Sequence, residues 1–239
     1  MIDLNFDELT ERIKYLRENK KNDEKIIDMR EISISDMDLS GMDLSKIDFS
    51  WSDFVNVKFI ETNFEDSVLG NTMCKGIDFS GSNFRGANLE NGDFRNSNLS
   101  NTNCDETVFT GALLEGANLE NLIYTDKTIH FKMSCPETGY FFGYKKCFND
   151  RLVKLLIPKD AKRCSGTTNA CRCDKAKTVS ITNLDGTGFY REATSFVDGE
   201  FSYRLGEYSY ADEFNDDRWL ESTHGIHFWM SKEEALAYM

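Results

Sequence analysis

The sequence predicts a mainly β chain: a solenoid over residues 31–125, with a helical segment (1–30) before it and a small α+β domain (137–239) after a linker at 126–136. Three observations carry this. Large apolar residues recur at every fifth position from Leu39 to Leu119. Asp or Asn stands just before that residue in 12 of 17 repeats, and Gly or Asn stands two after it in 12 of 17, so each repeat holds one anchor and one turn. After Leu119 the register stops, and Pro136, one of only two prolines, falls in the break.

A period of five suits neither regular element. Five steps of an α-helix rotate a side chain by roughly 140°, so no face collects the apolar residues. Five steps of a strand put it on the opposite face. The chain must therefore change direction once per repeat, as solenoids do. The small residue two before the anchor (Thr62, Ser67, Thr72, Ala87, Gly92 and their equivalents) suits a second inward position. The Asp or Asn before the anchor bonds to nearby backbone and favours turns. The Gly or Asn two after it tolerates the positive φ that the third residue of a type II turn requires.

GANLE at 86–90 and 116–120 and GSNFR at 81–85 resemble the pentapeptide-repeat family, whose pattern is small, Asp or Asn, Leu or Phe, then two variable residues. The resemblance covers about residues 33–125. It implies a right-handed quadrilateral β-helix with four repeats per coil, slightly more than four coils here, and a rod roughly 20 Å long at about 4.8 Å per coil. Ile34 and Tyr124 extend it by one degenerate repeat at each end. Met37, Met42, Ile47, Val57 and Ile77 are bulky where the family is small, which implies wider early coils or contact with a cap.

Residues 5–29 read as helical, with Leu9, Ile13 and Leu16 on one face and Phe6 and Tyr15 able to join them. Such a segment caps the open edge of a first coil. In the last hundred residues, 139–147 and 151–158 read as a hairpin around Phe148, Asn149 and Asp150. Residues 177–184 and 199–210 read as further strands, with Asp185-Gly186 as a turn. Ser231 and Glu234 make a capping box for a terminal helix. GYKKC, LVKLLIPKDAKR, RW, GIHFW and EEA in this stretch are similar to an uncharacterised domain found behind pentapeptide repeats in bacterial and phage-like proteins. That resemblance implies architecture and no activity.

The net charge is −13, and residues 36–124 alone hold 15 acids against 5 bases. A nucleic-acid binder needs the opposite sign, so direct nucleic-acid binding is not expected. No apolar run is long enough to span a bilayer, and the charged N-terminus is not a signal peptide, so no membrane contact and a cytoplasmic location are expected. Seven cysteines, an odd number, fit a reducing compartment; Cys74 and Cys104 occupy anchor positions and read as core.

Motifs for chemistry are sparse. No dinucleotide, Walker, zincin or nucleophile-elbow motif is present, and no cofactor is expected. Cys164, Cys171 and Cys173 form C-x6-C-x-C, which lacks the paired C-x2-C of structural zinc sites; core packing is the simpler reading, and metal binding stays open. His224 and His227, with Cys147, have the residue types of a nucleophile and base, or of metal ligands, but no orienting acid lies nearby in sequence. Lys159, Lys162, Arg163, Arg172, Lys175 and Lys177 surround a Ser165–Thr168 loop that reads either as solvated or as an anion site.

One pattern points to contact. Val68, Met73, Val108 and Leu113 replace Asp or Asn at an outward position, on two neighbouring faces if residues 20 apart stack, and Trp51, Val55 and Ile60 add outward apolar groups. Exposed apolar patches mark contacts, so these seven are the candidate surface, for the C-terminal domain or for another chain. The expectation is a non-enzymatic protein-interaction scaffold. The alternative, implied by the family resemblance and permitted by the charge, is a DNA-mimicking inhibitor or protector of a type II topoisomerase.

Overall fold

A computed structural model describes residues 1–19 and 26–238. The chain divides into two compact units, Met1–Lys132 and Met133–Met239.

In the first unit, residues 20 apart pair in parallel. β1 (Ile2–Asp3) lies against β3 (Ile32–Ser35), which lies against β5 (Asp53–Val55), and β2 (Ile27–Asp28) lies against β4 (Ile47–Asp48). Single bridges continue the ladders, as in Asp53–Met73–Asp93–Leu113 and Asp48–Val68–Asn88–Val108. Four five-residue repeats thus close one coil. The turn residue two after each anchor has φ between 53° and 73° from Asp36 to Asn121, as the Gly and Asn preference predicts.

The interior is a packed ladder of anchors. Phe59 stacks on Phe79 at 5.3 Å and Phe64 on Phe84 at 4.9 Å, with edge-on contacts between the columns. Cys74 and Cys104 lie among them, and burial pushes both thiols up to about 12, so they act as small apolar fillers. Gly92 has a steric reason: a Cβ there would meet the Phe94 ring at 2.6 Å. Outside the core, Asp43, Asn63, Asn83 and Asn103 form a side-chain ladder, each amide donating to the residue one coil earlier at 2.9–3.2 Å. Each of these side chains also accepts the N–H two residues on, which is the turn bond expected of Asp and Asn.

The ends differ from the sequence reading. The helix α1 spans Phe6–Glu18, with an Asn5–Glu8 capping box; residues 20–25 of the expected helix lie outside the described residues. Ile27–Arg30 is not helical, because Ile27 and Asp28 already pair with the first full coil and Met29 is buried. Leu9 and Ile13 face inward, whereas Phe6 and Tyr15 are exposed. Arg17 donates to the Asp43 carbonyl at 2.8 Å and pairs with its carboxylate, next to the bulky Met42. At the other end, residues 126–132 of the expected linker belong to the first unit. Ile129 bridges Val108 after a 21-residue step, Thr128 Oγ1 donates to the Cys104 carbonyl, and Phe131 packs on Phe109 at 5.1 Å.

The second unit is built on a four-stranded antiparallel sheet in the order β13-β10-β7-β6: β6 (Phe141–Cys147), β7 (Arg151–Ile157), β10 (Lys175–Asn183) and β13 (Tyr208–Tyr210). The hairpin at 148–150 and the Asp185-Gly186 turn are present as expected. The strand expected over 199–210 is broken by a turn at Gly206 into β12 (Ser202–Arg204) and β13; β12 pairs with β11 (Glu192–Thr194). A three-stranded sheet runs β14-β9-β8: β8 (Arg163–Ser165), β9 (Cys171–Cys173) and β14 (Ile226–Phe228). Just past β14, Trp229 exchanges two 2.8 Å backbone bonds with Tyr144, joining this segment to the free edge of β6. The Ser231–Glu234 box caps α2 (Lys232–Ala237).

Phe84→Ala is expected to lower the unfolding free energy by about 3–5 kcal/mol in urea denaturation, because the closed coil cannot collapse onto the void. Phe84→Leu, which the repeat accepts at other anchors, should lose clearly less.

Candidate functional site

The seven candidate contact residues are not equivalent. Trp51 (60% exposed), Val55 (49%), Met73 (47%) and Leu113 (37%) are open to solvent, while Ile60, Val68 and Val108 are half-buried. The ladder explains this grouping. Residues 51–55, 71–75, 91–95 and 111–115 stack through Asp53, Met73, Asp93 and Leu113, so the four exposed residues share one side of the coil. Val68 and Val108 share the preceding side, as expected. Within the first side, Asp93 is buried between Met73 and Leu113, and its bidentate bond from Arg95 holds its carboxyl below the usual range. Trp51 occupies the left-handed turn position with φ 63°, which Gly, Asn, Asp, Glu or Lys fill in the other coils.

The cysteines of the second unit lie in its interior. Among the described residues no group of three His, Cys, Asp or Glu side chains could hold an ion, and all seven thiols are free and buried. β9 does place Cys171 and Cys173 in the interior, where the hydrogen bond with Cys135 and then burial raise Cys171, and burial raises Cys173. Cys171 has Cys135 as its hydrogen-bond neighbour, which the sequence spacing did not suggest.

Among the described residues no hydrogen bond joins Cys147 to His224 or His227. Cys147 is buried beside Lys145, and burial pushes its thiol up to about 11. His224 pairs with Glu213 at 3.5 Å on the surface. His227 lies in β14, and burial, with Lys145 and Arg172 nearby, lowers its pKa and keeps the ring neutral.

The basic stretch is mostly committed internally. Arg163 donates to the Ala161, Pro158 and Gly139 carbonyls, and Arg172 is buried, donating to the carbonyls of Asn215 and Asp217. Lys175 pairs with Asp160 at 2.7 Å. The Ser165–Thr168 loop is not solvated: Ser165 and Thr167 are buried, and a carboxylate already sits on the loop. Glu221 accepts from the Thr167 N–H at 2.6 Å and the Thr168 hydroxyl at 2.9 Å, while Arg218 donates to the Ser165 carbonyl. A Cβ on Gly166 would stand 2.3 Å from Glu221 Oε1, so only glycine permits this approach. The anion that the loop's chemistry suggested is the protein's own.

The second unit also contains a cavity of about 640 Å³. Its wall includes Lys145, His227, Trp229, Tyr203, Asp198 and Asp212. Sequence reading missed Lys145, which looks like half of an ordinary surface Lys-Lys pair. The alternation along β6 marks it, because Gly143, Lys145 and Cys147 share the buried face.

Glu221→Ala is expected to lower stability by about 1–3 kcal/mol, since it leaves a buried N–H without its acceptor. Hydrogen exchange should rise at residues 165–168; unchanged protection there would contradict the clamp.

The comparisons follow the same division. Residues 34–71, 62–101 and 93–122 match the pentapeptide repeats, and residues 131–235 match a family of unknown function, DUF5758. No curated protein matches the chain. Among solved structures, HetL, a pentapeptide repeat protein involved in heterocyst differentiation regulation in the cyanobacterium Nostoc sp. PCC 7120, is 26% identical, with 54% of this chain and 52% of its own covered and a TM-score of 0.44. A pentapeptide repeat protein of the Arabidopsis thaliana thylakoid lumen is 26% identical over 38% of this chain and 66% of its own, with a TM-score of 0.32. QnrB1, a plasmid-mediated fluoroquinolone resistance protein, is 18% identical over 44% and 65%, with a TM-score of 0.23. The chain spans about half the length of HetL. With the five-residue register, the 20-residue coil and both family matches in hand, residues 34–122 of this chain are pentapeptide repeats, and a DUF5758 domain lies behind them at 131–235.

Proposed function

We propose that the chain is a non-enzymatic protein-interaction scaffold, and that its contact surface is the side of the first unit bearing Trp51, Val55, Met73 and Leu113. One observation carries this reading: Trp51 is at once exposed and held at positive φ. A bulky residue in that conformation costs about 1 kcal/mol or more, and such strain clusters at functional sites. Tryptophan is also the residue type most enriched among those that dominate binding energy. Val55, Met73 and Leu113 extend the same side, with Ile60, Val68 and Val108 around it. In this reading the repeats form a right-handed coil, α1 covers its open first turn, and the second unit supplies partner specificity. The free cysteines and the lack, among the described residues, of a helix long and apolar enough to cross a membrane support a cytoplasmic protein partner.

The test separates strain from binding. Trp51→Asn keeps the turn, because Asn accepts positive φ, and is expected to raise stability by about 0.5–1 kcal/mol. The same change, and separately the pair Met73→Asp with Leu113→Asp, should remove the proteins that co-purify with the wild type. Retention of the same partners by both variants would sink the reading.

The acidity of the repeats favours a second reading, mimicry of DNA toward a type II topoisomerase. Asp38, Asp43, Asp48, Asp78 and Asp93 weaken it, because each already accepts the N–H two residues on. The expected result is unchanged supercoiling by purified gyrase at micromolar protein; inhibition or protection there would favour mimicry.

A further inference from the structure

Lys145 is the one cavity-wall group whose surroundings do not suit its charge. It stands on the inward face of β6 and is 5% exposed. An ammonium carries three donors. Here Nζ donates to the His227 carbonyl at 3.1 Å, and among the described residues it forms no ion pair with a carboxylate. The ionisable groups that face it are the Cys147 thiol on its own strand, the Cys173 thiol on β9 and the His227 ring on β14, with the Tyr203 phenol of β12 close to both thiols. None is an anion at neutral pH, because burial raises both thiols and the phenol.

A buried cation without a counter-charge is costly, and a lysine so placed sheds its proton. Burial accordingly draws Lys145 below the ordinary lysine range, whereas Lys127 and Lys175, each paired with a carboxylate, are held above it. A desolvated neutral amine is a nucleophile, and the residue type that condenses with carbonyl compounds.

The cavity defines the partner. Its volume, about 640 Å³, lies within the range of small-molecule sites. Phe201, Tyr203 and Trp229 give it aromatic walls. Its carboxylates, Asp198 and Asp212 among them, stand without any arginine in the wall, which disfavours an anionic guest.

We infer that this cavity is a covalent capture site in which Lys145 condenses reversibly with a small uncharged aldehyde. The Nζ lone pair attacks the carbonyl carbon, the carbonyl π pair moves to oxygen, and the proton lost from nitrogen ends on that oxygen to give a carbinolamine. The remaining nitrogen proton passes to the hydroxyl, which departs as water while the nitrogen lone pair forms the C=N bond of the imine, and addition of water reverses the step. No electrons are gained or lost. His227 lines the same wall, its ring hydrogen-bonded to the backbone of Glu221 and Gly225.

The experiment uses the full chain with benzaldehyde and sodium cyanoborohydride at pH 7, followed by peptide mapping. The hydride fixes any imine as a stable benzylamine. Burial favours the neutral amine and the cavity gives the aldehyde access to it, so Lys145 should be modified several-fold faster than surface lysines such as Lys14 and Lys232. Glyoxylate, an anionic aldehyde, should modify Lys145 more slowly than benzaldehyde does. Lys145→Met should abolish the fast adduct. The wild-type map stands alone if that variant does not fold. Equal modification of all lysines, or a Lys145 that reacts no faster than Lys14, would overturn the proposal, and preference for glyoxylate would overturn the choice of an uncharged guest. None of these outcomes bears on the contact surface of the repeats.

Discussion

Pairing of each residue with the one twenty places further on is the constraint from which the first unit follows. Backbone bonds such as Phe64 N–H to the Asn83 carbonyl tie each coil to the next. They place identical repeat positions directly over one another, so a choice made in one repeat is tested against its copy in the coil above. Phenylalanine stacks on phenylalanine, asparagine donates to asparagine, and each turn residue repeats its left-handed φ. Interior and exterior are thus sorted by position within five residues, and side chains outside the pattern become conspicuous.

Much of this was legible from sequence because the information is local. The anchor, the small residue, the turn bond of Asp or Asn and the positive φ all lie within one repeat. What failed needed distant partners. Ile27 and Asp28 continue a helical apolar pattern in sequence, but their backbone pairs with Ile47 and Asp48. Thr128, Ile129 and Phe131 lack the repeat, yet they complete the last coil through Cys104, Val108 and Phe109.

The second unit shows the same limit more strongly. Alternation revealed β6, β7 and β10, since each buries one face. Glu221 lay beyond reach, because the loop it holds is 54 residues earlier and nothing local marks it as a ligand for Thr167 and Thr168. Lys145 was hidden by its neighbour Lys146. Only the buried company of Gly143 and Cys147 distinguishes one lysine from the other. In both cases the informative fact is which face of an element is covered, and that is decided by strands remote in the chain.

The 21-residue step from Val108 to Ile129 has a consequence for how such a chain can grow or shorten. Gain or loss of a single pentad would rotate every later position by a quarter turn and carry Met73 and Leu113 away from the corner that Trp51 occupies. Only whole coils can be added between them without scattering the patch. The one surplus residue near Ile129 breaks that phase, and Phe131 packs on Phe109 there, so the twenty-residue register does not carry past this layer.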